Sequence, residues 1–284
     1  MNIIRIHCKD EAFAASLPDL FGLRADVERF SIEVPSEVAS VLGAGAPVFV
    51  GVSGGRDSQA LAYRVCAHLD DIGHQGRRFL VHAHLGRVEW LDSLPVCERL
   101  AQRLGVELVV VRRNAGDMMD RWLSRWAGNV ARYANLECVK LILPWSTAAQ
   151  RFCTSELKCQ VIAREMRRRF PEGDVVSAVG IRREESAKRA RMPAWKRDER
   201  TTRKRGVGHT WNPILGWRRG DVNDYVRIRG DELHEAYRLY GSTRVSCAFC
   251  VLGSEHDLRA SSNCTDNQAI YREMVALEAT STFS

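Results

Sequence analysis

The run Val48–Val52, followed by Ser53-Gly54-Gly55-Arg56-Asp57-Ser58, constrains the fold more than any other segment. A short, continuous, β-branched apolar run is the pattern of a strand buried on both faces, as in a parallel sheet. The glycines end it sharply. From about Ser58, Ala60, Leu61, Val65, Cys66 and Leu69 recur at helical spacing. The unit then repeats. Phe79 to His84 reads as a second strand, Asp92 to Leu104 as a helix stopped by Gly105, and Val106 to Val111 as a third strand. Glu156 to Phe170 reads as a further helix and Asp174 to Gly180 as a further strand. This order predicts an α/β fold, a parallel twisted sheet flanked by helices with right-handed crossovers. Beyond Ile181 the pattern is less regular, with short helices near Asp221 to Ile228 and Asn267 to Leu277 and a frayed end. The expected division is an N-terminal extension over 1–45, an α/β core over 46–180 and a C-terminal part over 181–284.

The loop carries the first chemical signal. Adjacent glycines let successive backbone N–H groups converge on an anion, and the helix N-terminus adds partial positive charge. Ser53 and Ser58 add hydroxyl donors. A Walker loop would need Gly-Lys-Ser/Thr where Arg56-Asp57-Ser58 stands, and G-x-G-x-x-G is absent. The chain carries 42 Lys and Arg against 35 Asp and Glu, a formal net charge of +7, which favours anionic partners.

The loop resembles the PP-loop, S-G-G-x-D-S, of the ATP pyrophosphatase (adenine nucleotide alpha hydrolase) superfamily. Gly180-Ile181-Arg182-Arg183-Glu184-Glu185-Ser186 with Arg189, Trp211-Asn212-Pro213-Ile214 with Trp217 and Asp221-Val222, and Cys153 to Lys158 resemble segments of its phosphoadenosine-phosphosulfate (PAPS) reductase branch, also called CysH-like. The likeness runs over about 46–260. It implies ATP or a related adenine nucleotide, with magnesium, held by Ser53, Gly54, Gly55, Arg56, Asp57, Ser58, Gly180, Arg182, Arg183 and Arg189. It implies catalytic roles for Asp57, Lys158 and Arg182. Arginines and a lysine suit phosphate oxygens, since displacement at phosphorus spreads charge that fixed cations stabilise. Glu185 is expected to orient the arginines, and the second strand to offer backbone groups to the adenine.

Two departures stand out. The reductases' C-terminal E-C-G-L-H segment has no match, because Cys264 sits in Ser-Ser-Asn-Cys-Thr-Asp-Asn. Instead, Cys153 and Cys159 stand upstream of Cys247-Ala248-Phe249-Cys250. Adenosine-phosphosulfate (APS) reductases and DNA-phosphorothioation sulfur-transfer proteins hold a [4Fe–4S] cluster through four cysteines, so these four are candidates for a cluster or for zinc. The alternative is a set of small buried hydrophobes.

Lys188 to Arg205 contains nine basic and two acidic residues. Two readings compete, a mobile solvated loop near the active site and a nucleic-acid contact with Trp195 as a stacking aromatic. His82, His84, His209, His234 and His256 lack metal-ligand spacing and read as structural; Trp122 and Trp126 read as core or interface. Met1 to Glu11 lacks an apolar signal region, and no run approaches the roughly 20 residues of a membrane helix. A cytoplasmic protein without membrane contact is therefore expected. Function divides three ways: α-phosphate chemistry in sulfur metabolism or transfer, nucleic-acid thiolation, or a non-catalytic accessory of a mobile-element or CRISPR defence complex.

Overall fold

The computed structural model describes residues 29–283. Most of the expected N-terminal extension, with Met1 to Glu11, lies outside the described residues. After helix α1 (Ser36–Gly43) the chain alternates through β1 (Val48–Val52), α2 (Arg56–Asp71), β2 (Arg78–His84), α3 (Ser93–Leu104) and β3 (Glu107–Arg112). Helix α4 (Met118–Ala134) follows, and a π-helical turn at Ser155–Cys159 then leads into α5 (Gln160–Arg169). Strands β4 (Val175–Ala178), β5 (Trp195–Arg197) and β6 (Gly208–Trp211) complete the sheet, and α6 (Arg219–Ile228), α7 (Glu255–Ser262) and α8 (Gln268–Ser281) complete the chain.

The sheet has six strands in the order β3-β2-β1-β4-β6-β5. All neighbours are parallel except β5, which pairs antiparallel with β6. The expected α/β sheet is therefore present, with one antiparallel edge strand that short polar segments gave no reason to foresee. Two apolar layers cover its faces. One joins α1, α2, α3 and α6 through Leu42, Leu61, Leu100 and Val222; the other joins α5 to Phe49, Phe79 and Val109. Phe49 and Phe79 stack with ring centroids 4.7 Å apart.

A third apolar group lies beyond β2, built from Leu85, Trp90, Met118, Trp122, Phe249 and Ile270 among others. It packs residues of the expected C-terminal part against α4. Trp122 is core, edge-on to Trp145 at 5.1 Å. Helix α4 begins at a reciprocal cap, Asp117 accepting from the Asp120 N–H and Asp120 from the Asp117 N–H. The last described residues are not frayed: Ser281 is buried and the Phe283 carbonyl accepts the Trp145 indole N–H at 2.9 Å.

The basic run is not one mobile loop. Ala187–Ala190 forms a helical turn, Trp195–Arg197 is strand β5, and residues 198–207 form a turn at the amino end of β6. That turn lies at the opposite end of the strands from the Ser53–Ser58 loop. Trp195 gives its indole N–H to His209 Nδ1 at 3.0 Å and packs on the core, so it is not a free stacking surface. Among the described residues no helix is long and apolar enough to cross a membrane.

Candidate functional site

Chain connections leave β1 towards β2 on one side and β4 lies on the other, so the loop after β1 opens into the crevice at a topological switch point. Gly54 takes a φ of +74°, and a Cβ there would lie 2.9 Å from the Ser93 carbonyl oxygen and 3.2 Å from His234 Cδ2. Only glycine fits. Gly55 caps α2 without a side-chain acceptor. The Ser58 N–H donates to the Gly55 carbonyl at 3.0 Å, which leaves the Arg56 and Asp57 N–H groups without a helical partner at the positive end of the dipole.

Two loop side chains do other work than the sequence suggested. The Ser58 hydroxyl accepts the Ser53 N–H at 3.2 Å and donates to the Gly55 carbonyl at 2.7 Å, which makes it a brace within the loop. Arg56 is buried, donates to the Thr243 carbonyl at 2.5 Å and lies over the Tyr237 ring. Burial lowers its basicity, and the positive charges of Arg219 and Arg182 add to the effect. It struts the loop against the segment around Tyr237 and Thr243.

Facing the loop, Gly180 lets β4's exit pass close to Asp57; a Cβ there would be 3.2 Å from the Asp57 carbonyl oxygen. Arg182, 6% exposed, donates from Nε to Asp57 Oδ1 at 2.5 Å and from Nη1 to Glu184 Oε2 at 2.9 Å. Glu185 accepts the Arg182 backbone N–H at 2.8 Å and pairs with Arg189. Arg183 turns away and reaches Glu33 at 3.3 Å. Ser53 to Ser58, Gly180 and Arg182 therefore meet, Arg189 stands behind them, and Arg183 does not join.

Lys158 belongs to a second group. The turn Ser155–Cys159 packs on β2, and Lys158, Cys250, Glu89 and Cys153 all act on Cys247. The Ala248 N–H donates to the Val88 carbonyl at 2.8 Å, which fastens the Cys-x-x-Cys turn beyond the end of β2. Burial pushes the Cys247 thiol up to about 12, with Lys158 pulling the other way. Cys159 instead meets the Arg200 guanidinium. Six positions along a helix carry two side chains to different faces. The four thiols do not form one ligand set, and among the described residues no group of three or more His, Cys, Asp or Glu side chains is placed to hold a metal ion.

Sequence reasoning missed the wall behind the loop, made by Ser93, His234, Tyr237 and Thr243. His234 is fully buried; its Nδ1 accepts the Ala236 N–H at 3.0 Å, so Nε2 carries the proton and donates to Ser93 Oγ at 3.2 Å. This excludes Ser93 as a nucleophile activated by His234. Burial pushes His234 down to about 4, against the pull of Asp92 and with the push of Arg99 and Arg238. Between the unfolded value of 6.5 and about 4 the unfolded chain binds a proton that the folded chain refuses. The stability this neutral ring confers is present above pH 6.5 and lost as pH falls towards 4, by about 3 kcal/mol. Urea midpoints measured from pH 7 to 4 should fall in the wild type and fall less in His234→Gln. Parallel curves would contradict the assignment.

Residues 47–252 match the phosphoadenosine phosphosulfate reductase domain. An uncharacterized 37.8 kDa protein of Escherichia phage 186 is 28% identical over 169 residues, 57% of this chain, and the chain spans only 42% of that relative. Among solved structures, the PAPS reductase from Candida auris, a phosphate complex, is 12% identical with a TM-score of 0.43, covering 83% of this chain and 91% of that one. The FMN adenylyltransferase of Candida glabrata, with FMN and an ATP analogue, is 16% identical with a TM-score of 0.44, covering 79% and 63%. The U34-tRNA thiolase NcsA of Methanococcus maripaludis, with its [4Fe-4S] cluster, is 13% identical with a TM-score of 0.46, covering 90% and 78%. With the match over 47–252, this chain belongs to the phosphoadenosine phosphosulfate reductase domain family.

Proposed function

We propose that the chain is an enzyme that binds ATP or a related adenine nucleotide at Ser53–Ser58 and acts at its α-phosphate, in sulfur metabolism or sulfur transfer. The observation that carries this reading is the loop itself. Gly54 is locked at positive φ against Ser93 and His234, so the N–H groups at the start of α2 are arranged before any ligand arrives. Preorganised donors of this kind stabilise developing charge without reorganising.

Arg182 is the cation for the phosphate oxygens, and the anions that now hold it, Asp57 and Glu184, keep it in place until a nucleotide competes for it. Asp57 is also the loop carboxylate that a magnesium–nucleotide complex would engage; the ion would supply charge neutralisation at the phosphates. Lys158 and the Cys153, Cys247 and Cys250 thiols lie beyond β2, the neighbour of β1, where a sulfur acceptor or donor could meet an activated nucleotide. No step is assigned to an iron–sulfur cluster or zinc, because the four cysteines do not converge.

The test is product analysis. Incubation with ATP and magnesium, with and without sulfide, should release pyrophosphate, and Asp57→Ala should abolish the release. Release of orthophosphate alone would place the chemistry at the γ-phosphate and refute the reading.

A further inference from the structure

The turn at 198–207 carries a charge arrangement that the nucleotide site does not use. Arg167, at the end of α5, reaches the Arg200 carbonyl, and Arg203 donates to the Gly173 and Thr201 carbonyls at 2.7 and 3.3 Å. Both guanidiniums donate to neutral carbonyl oxygens. Burial lowers the basicity of Arg203 and the neighbouring Arg167 charge lowers it further, with Asp174 pulling the other way. Arg203 Nε is buried with no partner at all. The acids nearby have other partners: Asp198 has Arg200, Glu199 has Arg197, Glu172 has Arg205, and Asp174 has the Val207 N–H and His209, although Asp174 still favours the Arg203 charge. Among the described residues no carboxylate forms an ion pair with Arg167, Arg203 or Lys204.

The turn is rigid. A Cβ on Gly206 would lie 2.0 Å from the Gly173 carbonyl oxygen, so two backbones are in direct contact, and Arg203 bridges to Gly206. Fixed cations without an ion-pair partner on a rigid edge suit a partner that brings its own regular anions. We propose that this turn, with Arg167, Arg203 and Lys204 at its centre, is a docking surface for the phosphate backbone of duplex DNA. The aromatic that could stack an unpaired base, Trp195, is committed to His209, which disfavours a single strand. The Thr201 and Thr202 hydroxyls both donate inward to the Asp198 carbonyl, which takes them out of reach of a 2′-hydroxyl. The surface lies across the sheet from the Ser53–Ser58 loop, roughly 13 Å along a four-residue strand. It therefore tethers DNA rather than feeding it into the nucleotide crevice, and it stands apart from the proposed reaction.

Fluorescence anisotropy with a labelled 24-base-pair DNA duplex, from 50 to 300 mM NaCl, tests this. Wild-type affinity should fall steeply with salt, and the log–log slope should flatten by about 2 in Arg167→Gln/Lys204→Gln, as loss of two phosphate contacts requires. That variant keeps the Arg203 bond to Gly173; Arg203→Gln/Lys204→Gln should behave likewise if its melting temperature is unchanged. Lys188→Gln/Arg191→Gln, at the other end of β5, should bind DNA as the wild type does, and all three variants should bind ATP normally. The proposal is overturned if the wild type shows no salt-dependent duplex binding, if the Lys188/Arg191 variant loses as much, or if single-stranded DNA or duplex RNA binds more tightly. Pyrophosphate release is a separate readout, so its failure would leave this surface standing.

Discussion

Gly54→Ala is expected to weaken adenine-nucleotide binding by at least about 100-fold, or ~3 kcal/mol. An alanine at a φ of +74° costs roughly 1–2 kcal/mol in backbone strain alone. Its methyl would also meet the Ser93 carbonyl at 2.9 Å, and that oxygen belongs to the first residue of α3 and cannot swing away. The loop must therefore rotate, which turns its N–H groups from their common focus. Gly55→Ala is the control. Gly55 has a φ of −77°, and its Cβ would find only ordinary contacts at 3.6 Å with Tyr237 and Val245. A loss under tenfold is expected there. Isothermal titration of both variants reads the difference, and equal losses would show that the Gly54 geometry is not what matters.

Arg182→Ala carries the second large effect, on stability and on binding together. It leaves Asp57 and Glu184 side by side without the cation they share. Removing one partner from a buried ion pair costs about 3–5 kcal/mol. Asp57 is 28% exposed and Glu184 half exposed, so water recovers part of this and a loss near 3 kcal/mol is expected. Urea unfolding measures it. Arg182→Lys should recover charge but only one of the two hydrogen bonds, and fall between. If Asp57→Asn/Arg182→Ala proves no more stable than Arg182→Ala, the Asp57 link is not the source of the loss.

The strand–loop–helix at Val48–Asp71 was legible because burial on both faces and a glycine turn leave a strong local pattern. Boundaries moved by one to four residues: α2 starts at Arg56, β4 is shorter than Asp174 to Gly180, and α8 runs past Leu277 to Ser281. The π-turn before α5 shows no periodic sign. Contacts distant in sequence were illegible. Nothing local says that Arg56 will strut against Thr243, that Ser93 and His234 will close behind Gly54, or that Arg183 will turn to Glu33 while Arg182 turns to Asp57. The cysteines show the same limit from the other side. The resemblance made four thiols candidates for one set, whereas helical phase carries Cys159 to Arg200 and leaves Cys153 with Cys247. A contiguous basic run likewise hid a strand that divides it between the two ends of the sheet.

Calorimetric titration with ATP, APS and PAPS, each with magnesium, tests the central claim most directly. At least one should bind at a single site, with affinity lost in Gly54→Ala and Arg182→Ala but retained in Gly55→Ala. Absence of binding by all three in the wild type, or binding that Gly54→Ala leaves unchanged, would contradict the assignment of Ser53–Ser58 as the nucleotide site.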